Sequence, residues 1–407
     1  MEKTKKSIFT LAIIVAALGY FVDIYDLLLF GIIRKPSLIS LGLTPEQVLT
    51  EGEKIISIQM IGLLIGGFVW GIMGDKKGRL SVLFGSILLY SLANIANGMV
   101  TDVNQYAWCR FIAGIGLAGE LGAGITLVSE LVPKEKRGIA TSLVAGVGLT
   151  GAVFAYFMKQ TVHDWRWCYY IGGGMGFLLL LLRVSVFESG LYTSVKESDV
   201  SKGNILMLFN NWERFITYIK CISIGLPNWF VIGVLISFSD KFASVLGVKE
   251  AVDPGKSIMI AYIGISVGDV LIGFVSQWLK SRKHALYIFY GLTILFVVLF
   301  LSQTAATVNS IYWICLGLGF ATGFWAIFVT MGAEQFGTNL RATAATTIPN
   351  IVRGTLPLII FMFKYLREAT NFITGAAITG SICITLGLIA VYFSKETFGK
   401  DLDFIEL

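Results

Sequence analysis

Two acids stand one helical turn apart in an otherwise apolar stretch: Asp23 and Asp26, within GYFVDIYDLLLFG from Gly19 to Gly31. A second apolar stretch begins at Arg110, carries Glu120 and closes in Glu130, Pro133 and Arg137. A third, IPNIVRGTLP, holds Arg353 between Pro349 and Pro357. A charge within a membrane span costs at least ~2.5 kcal/mol on insertion scales, so such residues face a polar cavity or one another. The chemistry these types allow is proton and anion handling. Desolvation and a nearby cation push a carboxylate's proton affinity in opposite directions, so a changing distance to a guanidinium binds or releases a proton. A guanidinium is always charged, and its planar fork of donors fits a carboxylate.

Depth along each helix decides which of these groups can meet. At ~1.5 Å per residue, Asp26 lies ~10 Å and Arg110 ~7 Å below the same membrane face, so the two could meet. Asp23 is one turn deeper on a similar face. Glu120 lies nearer the opposite half of the bilayer. Asp23, Asp26, Arg110 and Glu120 thus form a charged path suited to protons, although a static Asp26–Arg110 pair joining two helices has the same spacing. Arg353 is ~18 Å deep, near the midplane. There it can hold an anionic cargo or pair with an acid such as Asp269. Asn228, Trp229 and Trp325 are further candidates for the cavity lining.

The elements that position these groups follow from composition. The chain has 407 residues, 55% hydrophobic and only 14% charged, against roughly 25% charged in soluble domains. It reads as an all-α integral membrane protein. Twelve spans are expected, near 7–33, 55–73, 80–100, 106–131, 139–158, 167–187, 215–238, 258–279, 285–301, 310–331, 342–363 and 372–392. The loop between the first two carries Pro36, Pro45 and three glutamates. The polar stretch after Phe187 divides the chain into a six-helix half at 1–187, a linker at 188–213, and a second six-helix half with a short tail at 214–407. Lysines and arginines gather in the loops on the side of both termini, which places the termini and the linker in the cytoplasm. The net charge of +6 fits that rule and is no sign of nucleic-acid binding. Glu130 with Arg137-Gly138, after the fourth span, has a counterpart in Glu334 with Arg341-Ala342, after the tenth. GDKKGR, 74–79, is echoed by QWLKSRK, 277–283. Two parallel halves of six helices suit a rocking carrier.

These residues resemble the major facilitator superfamily. Gly71, Asp75, Gly78 and Arg79 look like its motif between helices two and three. Gly19–Gly31, and the spacing of Arg110, Gly114, Gly119, Glu120, Glu130, Pro133 and Arg137, are similar to the metabolite:proton symporter branch. The chain departs from that branch at Asp23, where Glu is usual, and at Ile24, where Trp is usual. The resemblance implies that Asp75 bridges the halves near helix eleven when the cytoplasmic side is closed, with Glu130 and Arg137 pairing with Arg79 and Asp75. The expected fold is two pseudo-symmetric six-helix bundles. The expected function is proton-coupled symport of a small polar, carboxylate-bearing metabolite. Proton-driven efflux of an amphipathic compound is the alternative. A monomer in a bacterial inner membrane is expected, without metal, cofactor or enzymatic activity. Its expected partners are the cargo, protons and lipid.

Overall fold

In a computed structural model the described residues are 2–77, 79–119, 137–186, 205–304 and 306–399. The fold is twelve spans in two six-helix halves. The first half comprises span one (Glu2–Ser40), span two (Pro45–Lys77), span three (Arg79–Gly98), span four (described from Val103 to Leu117), span five (Arg137–Thr161) and span six (Arg166–Val186). Span seven is Trp212–Phe230, continued by a π-helical turn over Val231–Ile236, and is followed by a short helix, Ser239–Val245. Spans eight and nine are Pro254–Leu279 and Arg282–Leu301. Span ten is two helices, Val308–Thr322 and Trp325–Glu334. Span eleven is also two, Thr338–Gly354 and Leu356–Ala369, and span twelve is Phe372–Phe393.

The first two helices run longer than the sequence suggested, and the loop between them shrinks to residues 41–44. Pro36 lies inside span one. Pro45 opens span two, where its missing N–H costs nothing and its fixed φ suits the first helical position. Thr44 and Gln47 close that end reciprocally: Gln47 Oε1 accepts from Thr44 N at 3.0 Å, and Thr44 Oγ1 accepts from Gln47 N at 3.5 Å. This is a capping box, legible in the letters TPEQ.

Glycine sets how closely the helices cross. A Cβ at Gly62 or Gly66 of span two would overlap the carbonyl oxygens of Phe111 and Ile115 in span four. In the second half a Cβ at Gly264 or Gly268 of span eight would overlap those of Leu316 and Phe320 in span ten. The two crossings occupy matching places in the two halves, so the internal repeat extends from loop motifs to packing. Close backbone approach of this kind holds helices together where lipid removes the hydrophobic drive between them.

Three interruptions fall near the middle of the second half. Span ten breaks at Gly323 and Phe324, beside Gly268. Asp269, the next residue of span eight, accepts the Ala326 N–H at 3.0 Å and so caps the helix that restarts at Trp325. Span seven widens into its π turn, where Ser237 donates to the Ile232 carbonyl at 2.7 Å. Span eleven is interrupted at Thr355, two residues after Arg353, between Pro349 and Pro357.

Candidate functional site

Asp26 and Arg110 meet, as their depths allow. Arg110 Nη2 and Nη1 donate to Asp26 Oδ1 at 3.0 and 3.1 Å, and both side chains are fully buried. Arg110 Nη2 also donates to Asn94 Oδ1 of span three at 3.2 Å. The guanidinium stands 5.1 Å from the Tyr169 ring, and the Tyr169 hydroxyl meets that of Tyr106 at 2.7 Å. Gln59 of span two donates to the Leu27 carbonyl at 3.2 Å, one residue past Asp26. Spans one, two, three, four and six therefore converge on one polar knot inside the first half.

One turn below, Asp23 faces the other half. Its Oδ2 lies 4.0 Å from Arg353 Nη1, and both residues are almost wholly buried. The Arg353 guanidinium stands 5.7 Å from the ring of Trp325, the first residue of the restarted helix of span ten. Tyr20 and Tyr262 lie within electrostatic reach of both Asp23 and Arg353. Nε and Nη1 of Arg353 make no hydrogen bond among the described residues. The sequence allowed Asp269 as the partner of Arg353. Asp269 instead caps the broken helix, and the acid opposite Arg353 is Asp23.

The other candidates separate. Asn228 donates to the Thr322 carbonyl at 3.2 Å, at the break in span ten, and so supports the turn that presents Trp325. Trp229 is buried in the packed interior. Gly71, Asp75, Arg79 and Arg137 belong to spans two, three and five, and their side chains lie outside the description, as do Gly78, Glu120, Glu130 and Pro133 altogether.

The second-half copy of that loop motif is described. Arg282 Nη2 lies 3.4 Å from Glu334 Oε1, and Thr397 of the tail donates to Glu334 Oε2 at 2.6 Å. Glu396 accepts from the Ser281 hydroxyl and from the backbone N–H groups of Arg282 and Lys283, at 2.9 and 3.2 Å, at the start of span nine. Partial burial alone would raise the Glu396 carboxyl. Hydrogen bonds from Ser281 and from the backbone of Phe398, Arg282 and Lys283 outweigh it and hold the group at about 2.

Sequence reasoning missed the ties at the far end, opposite the termini. Among the described residues three ion pairs join the halves there. Arg34 Nη2 meets Asp240 Oδ1 at 2.9 Å, and Lys159 Nζ meets Asp253 Oδ1 at 2.7 Å. Arg367 grips Glu53 with both terminal nitrogens, Nη2 at 3.0 Å from Oε2. The only available signal was a charged residue near the end of each span. Asn94 was also missed, although an amide within the apolar run ILLYSLANIAN was a visible clue.

The model of the Major Facilitator Superfamily matches residues 10–361. The sialic acid transporter NanX of Escherichia coli K12 is 28% identical over 350 residues, covering 84% of this chain and 83% of that one. The niacin transporter NiaP of Acinetobacter baylyi is 26% identical over 427 residues, covering 97% and 95%. Among solved structures, the proton:xylose symporter XylE bound to 6-bromo-6-deoxy-D-glucose superposes with a TM-score of 0.71 over 98% of both chains, at 16% identity, a likeness of fold. Twelve spans in two repeated halves, charged groups buried at and beside the seam, and a family match across most of the chain lead to one conclusion: this integral membrane protein belongs to the Major Facilitator Superfamily and is a transporter of small metabolites.

Proposed function

We propose that the chain is a proton-coupled symporter of a small carboxylate-bearing metabolite, working by alternating access. One observation carries the reading. Span one presents two acids to two guanidinium groups, Asp26 to Arg110 inside the first half and Asp23 to Arg353 across the seam. The first half then handles the proton, with Glu120 continuing the path. Arg353 holds the cargo's carboxylate, and Trp325, Asn228 and Trp229 shape the pocket around it. Sialic acid and niacin, the cargoes named for two relatives, each carry a carboxylate.

In this reading the termini and the 188–213 linker are cytoplasmic, in a bacterial plasma membrane, and the monomer is the working unit. The three far-end ion pairs then close the outer face. Gly71, Asp75, Gly78, Arg79, Glu130, Pro133 and Arg137 lock the cytoplasmic face in the alternate state. Glu334 and Arg282 offer the second-half precedent for that lock.

The test uses the purified protein in proteoliposomes with radiolabelled nicotinate and N-acetylneuraminate. An inward proton gradient should drive accumulation of at least one of them above equilibrium, and a protonophore should abolish it. Uptake indifferent to the gradient removes the coupling. Accumulation driven only by an opposite gradient replaces uptake with efflux.

A further inference from the structure

We infer that Asp23 is the resident counter-ion of Arg353, that an incoming carboxylate displaces it, and that the displaced Asp23 binds the proton that travels with the cargo. The inference rests on the carboxylate reading above and names the group that links cargo to proton.

The two aspartates of span one are tied differently. Asp26 is hydrogen-bonded to Arg110 at 3.0 and 3.1 Å, and both belong to the first half. When the halves rock, that pair travels as a unit. Asp23 lies 4.0 Å from Arg353, beyond the ~2.7–3.2 Å of a hydrogen bond, and its partner belongs to the other half. A contact across the seam is one that alternating access makes and breaks. The Arg353 fork also keeps Nε and Nη1 without a hydrogen-bond partner among the described residues. A planar donor set facing one carboxylate at electrostatic distance is prepared to take a second carboxylate at closer range.

Counting charge gives the rest. In the empty carrier Arg353 and Asp23 cancel. With an anionic cargo on Arg353 and Asp23 still ionised, the buried seam carries one net negative charge. A buried carboxylate without a counter-charge neutralises by taking a proton. One proton from solution onto a carboxylate oxygen of Asp23 restores neutrality. The empty state and the doubly loaded state then cross the membrane, and the state with cargo alone does not. Coupling is obligatory because only neutral seams close.

Several charged and titratable groups lie around Asp23 among the described residues. Arg353 comes from span eleven and Tyr262 from span eight, with Tyr20 and Asp26 on span one itself. Asp269 of span eight reaches Tyr20 electrostatically and is engaged by the Ala326 N–H. Span five packs on span one through Gly148 and Gly151, and span two contributes Gln59, none of which titrates. Tyrosine hydroxyls ordinarily titrate near ~10. Among the described carboxylates, Asp23 is the one whose counter-charge is taken away when Arg353 changes partner.

The experiment is calorimetric titration of the protein in lipid nanodiscs with nicotinate, benzoate and N-acetylneuraminate, in buffers of different ionisation heat. The wild type should take up about one proton per carboxylate bound, and its affinity should fall about tenfold for each unit rise in pH through the range where that proton must be captured. Asp23→Asn should bind the same probe at least as tightly, with no proton uptake and a flat pH profile. Asp23→Glu should restore both. Wild-type binding without proton uptake overturns the inference and leaves the carboxylate reading standing. So does unchanged uptake in Asp23→Asn. If Asp23→Asn does not fold, the wild-type proton count decides alone. Failure of all three probes to bind, or binding untouched by Arg353→Gln, overturns the carboxylate reading and the inference with it.

Discussion

Arg282, at the start of span nine, lies 3.4 Å from Glu334, at the end of span ten. In the repeat these residues take the places that Arg79 and Glu130 hold in the first half. In this second copy the pairing ties the start of one helix to the end of another at the near end of the bundle. It extends to the tail, because Thr397 shares Glu334 and Glu396 covers the first backbone N–H groups of span nine.

The first-half copy should behave the same way. Arg79→Glu and Glu130→Arg should each reduce transport at least tenfold, and the double exchange should recover much of it. The measurement is uptake by the three variants at matched expression. A double variant no better than either single one separates the two residues.

The tail contact should depend on pH in a defined window. The Glu396 carboxyl is held at about 2, below the ~4.3 of an unconstrained glutamate. A lowered carboxylate contributes stability above its unconstrained value and loses it as pH falls towards the folded one. Protection of the Arg282 and Lys283 amides, relative to the intrinsic exchange rate at each pH, should hold down to about pH 4.3 and fall progressively from there to about pH 2. Glu396→Gln should show reduced protection above about pH 4.3, with the difference from wild type closing as pH falls towards about 2.

Removing Asp26 alone should be more damaging than removing the pair. Asp26→Asn leaves Arg110 charged in a site where both groups are fully buried, and breaking such a pair costs about 3–5 kcal/mol. The melting temperature should fall sharply and gradient-driven accumulation should disappear. Asp26→Leu combined with Arg110→Met should regain most of the stability while transport stays lost. A double variant as unstable as Asp26→Asn would mean that lost packing, not the stranded charge, sets the cost.

The far-end pairs should hold the conformational balance. Lys159–Asp253 is partly exposed, whereas Glu53 and Arg34 are buried. Neutralising Asp253 should cost up to about 1 kcal/mol of closure, a shift of about fivefold in population. Glu53→Gln strands a buried guanidinium and should shift it further. Spin labels at the exposed positions of His163 and Glu250, on opposite halves, should report a longer distance population in each variant.

Glycine substitutions should separate the crossings from the rest. Gly268→Ala and Gly323→Ala place a methyl into the opposing backbone, and overpacking of that kind costs about 1–3 kcal/mol. Gly273→Ala and Gly291→Ala meet nothing within 4 Å and should be neutral or slightly stabilising, since alanine is the better helix former. Melting temperatures of the four variants, measured in one detergent, make the comparison.

The span pattern and the Asp26–Arg110 meeting were legible, because rise per residue alone puts two neighbouring helices' charges at one depth. The Asp23–Arg353 contact was not. It joins the first span to the eleventh, and nothing local states which acid a midplane guanidinium will face when Asp23, Asp269 and Glu120 are all available. The break in span ten was also hidden, since Gly323 is one glycine among many in an apolar run. Its meaning appears only when Gly268 and Asp269 lie against it. The far-end pairs were unreadable for the same reason: each partner sits on a different half, and charged residues at span ends satisfy the membrane interface equally well.

That break divides span ten into two levers of unequal freedom. The first is clamped to span eight, where Gly319 and Gly323 lie against Ala261 and Gly268 without space for a side chain. The second hangs from Asp269 by its first backbone N–H groups and carries Trp325 at its very start. Any tilt of the shorter lever turns the indole beside Arg353. The same tilt swings Glu334, at its other end, against Arg282. One short helix of ten residues therefore links the surroundings of Arg353 at its start to the Arg282 contact at its end.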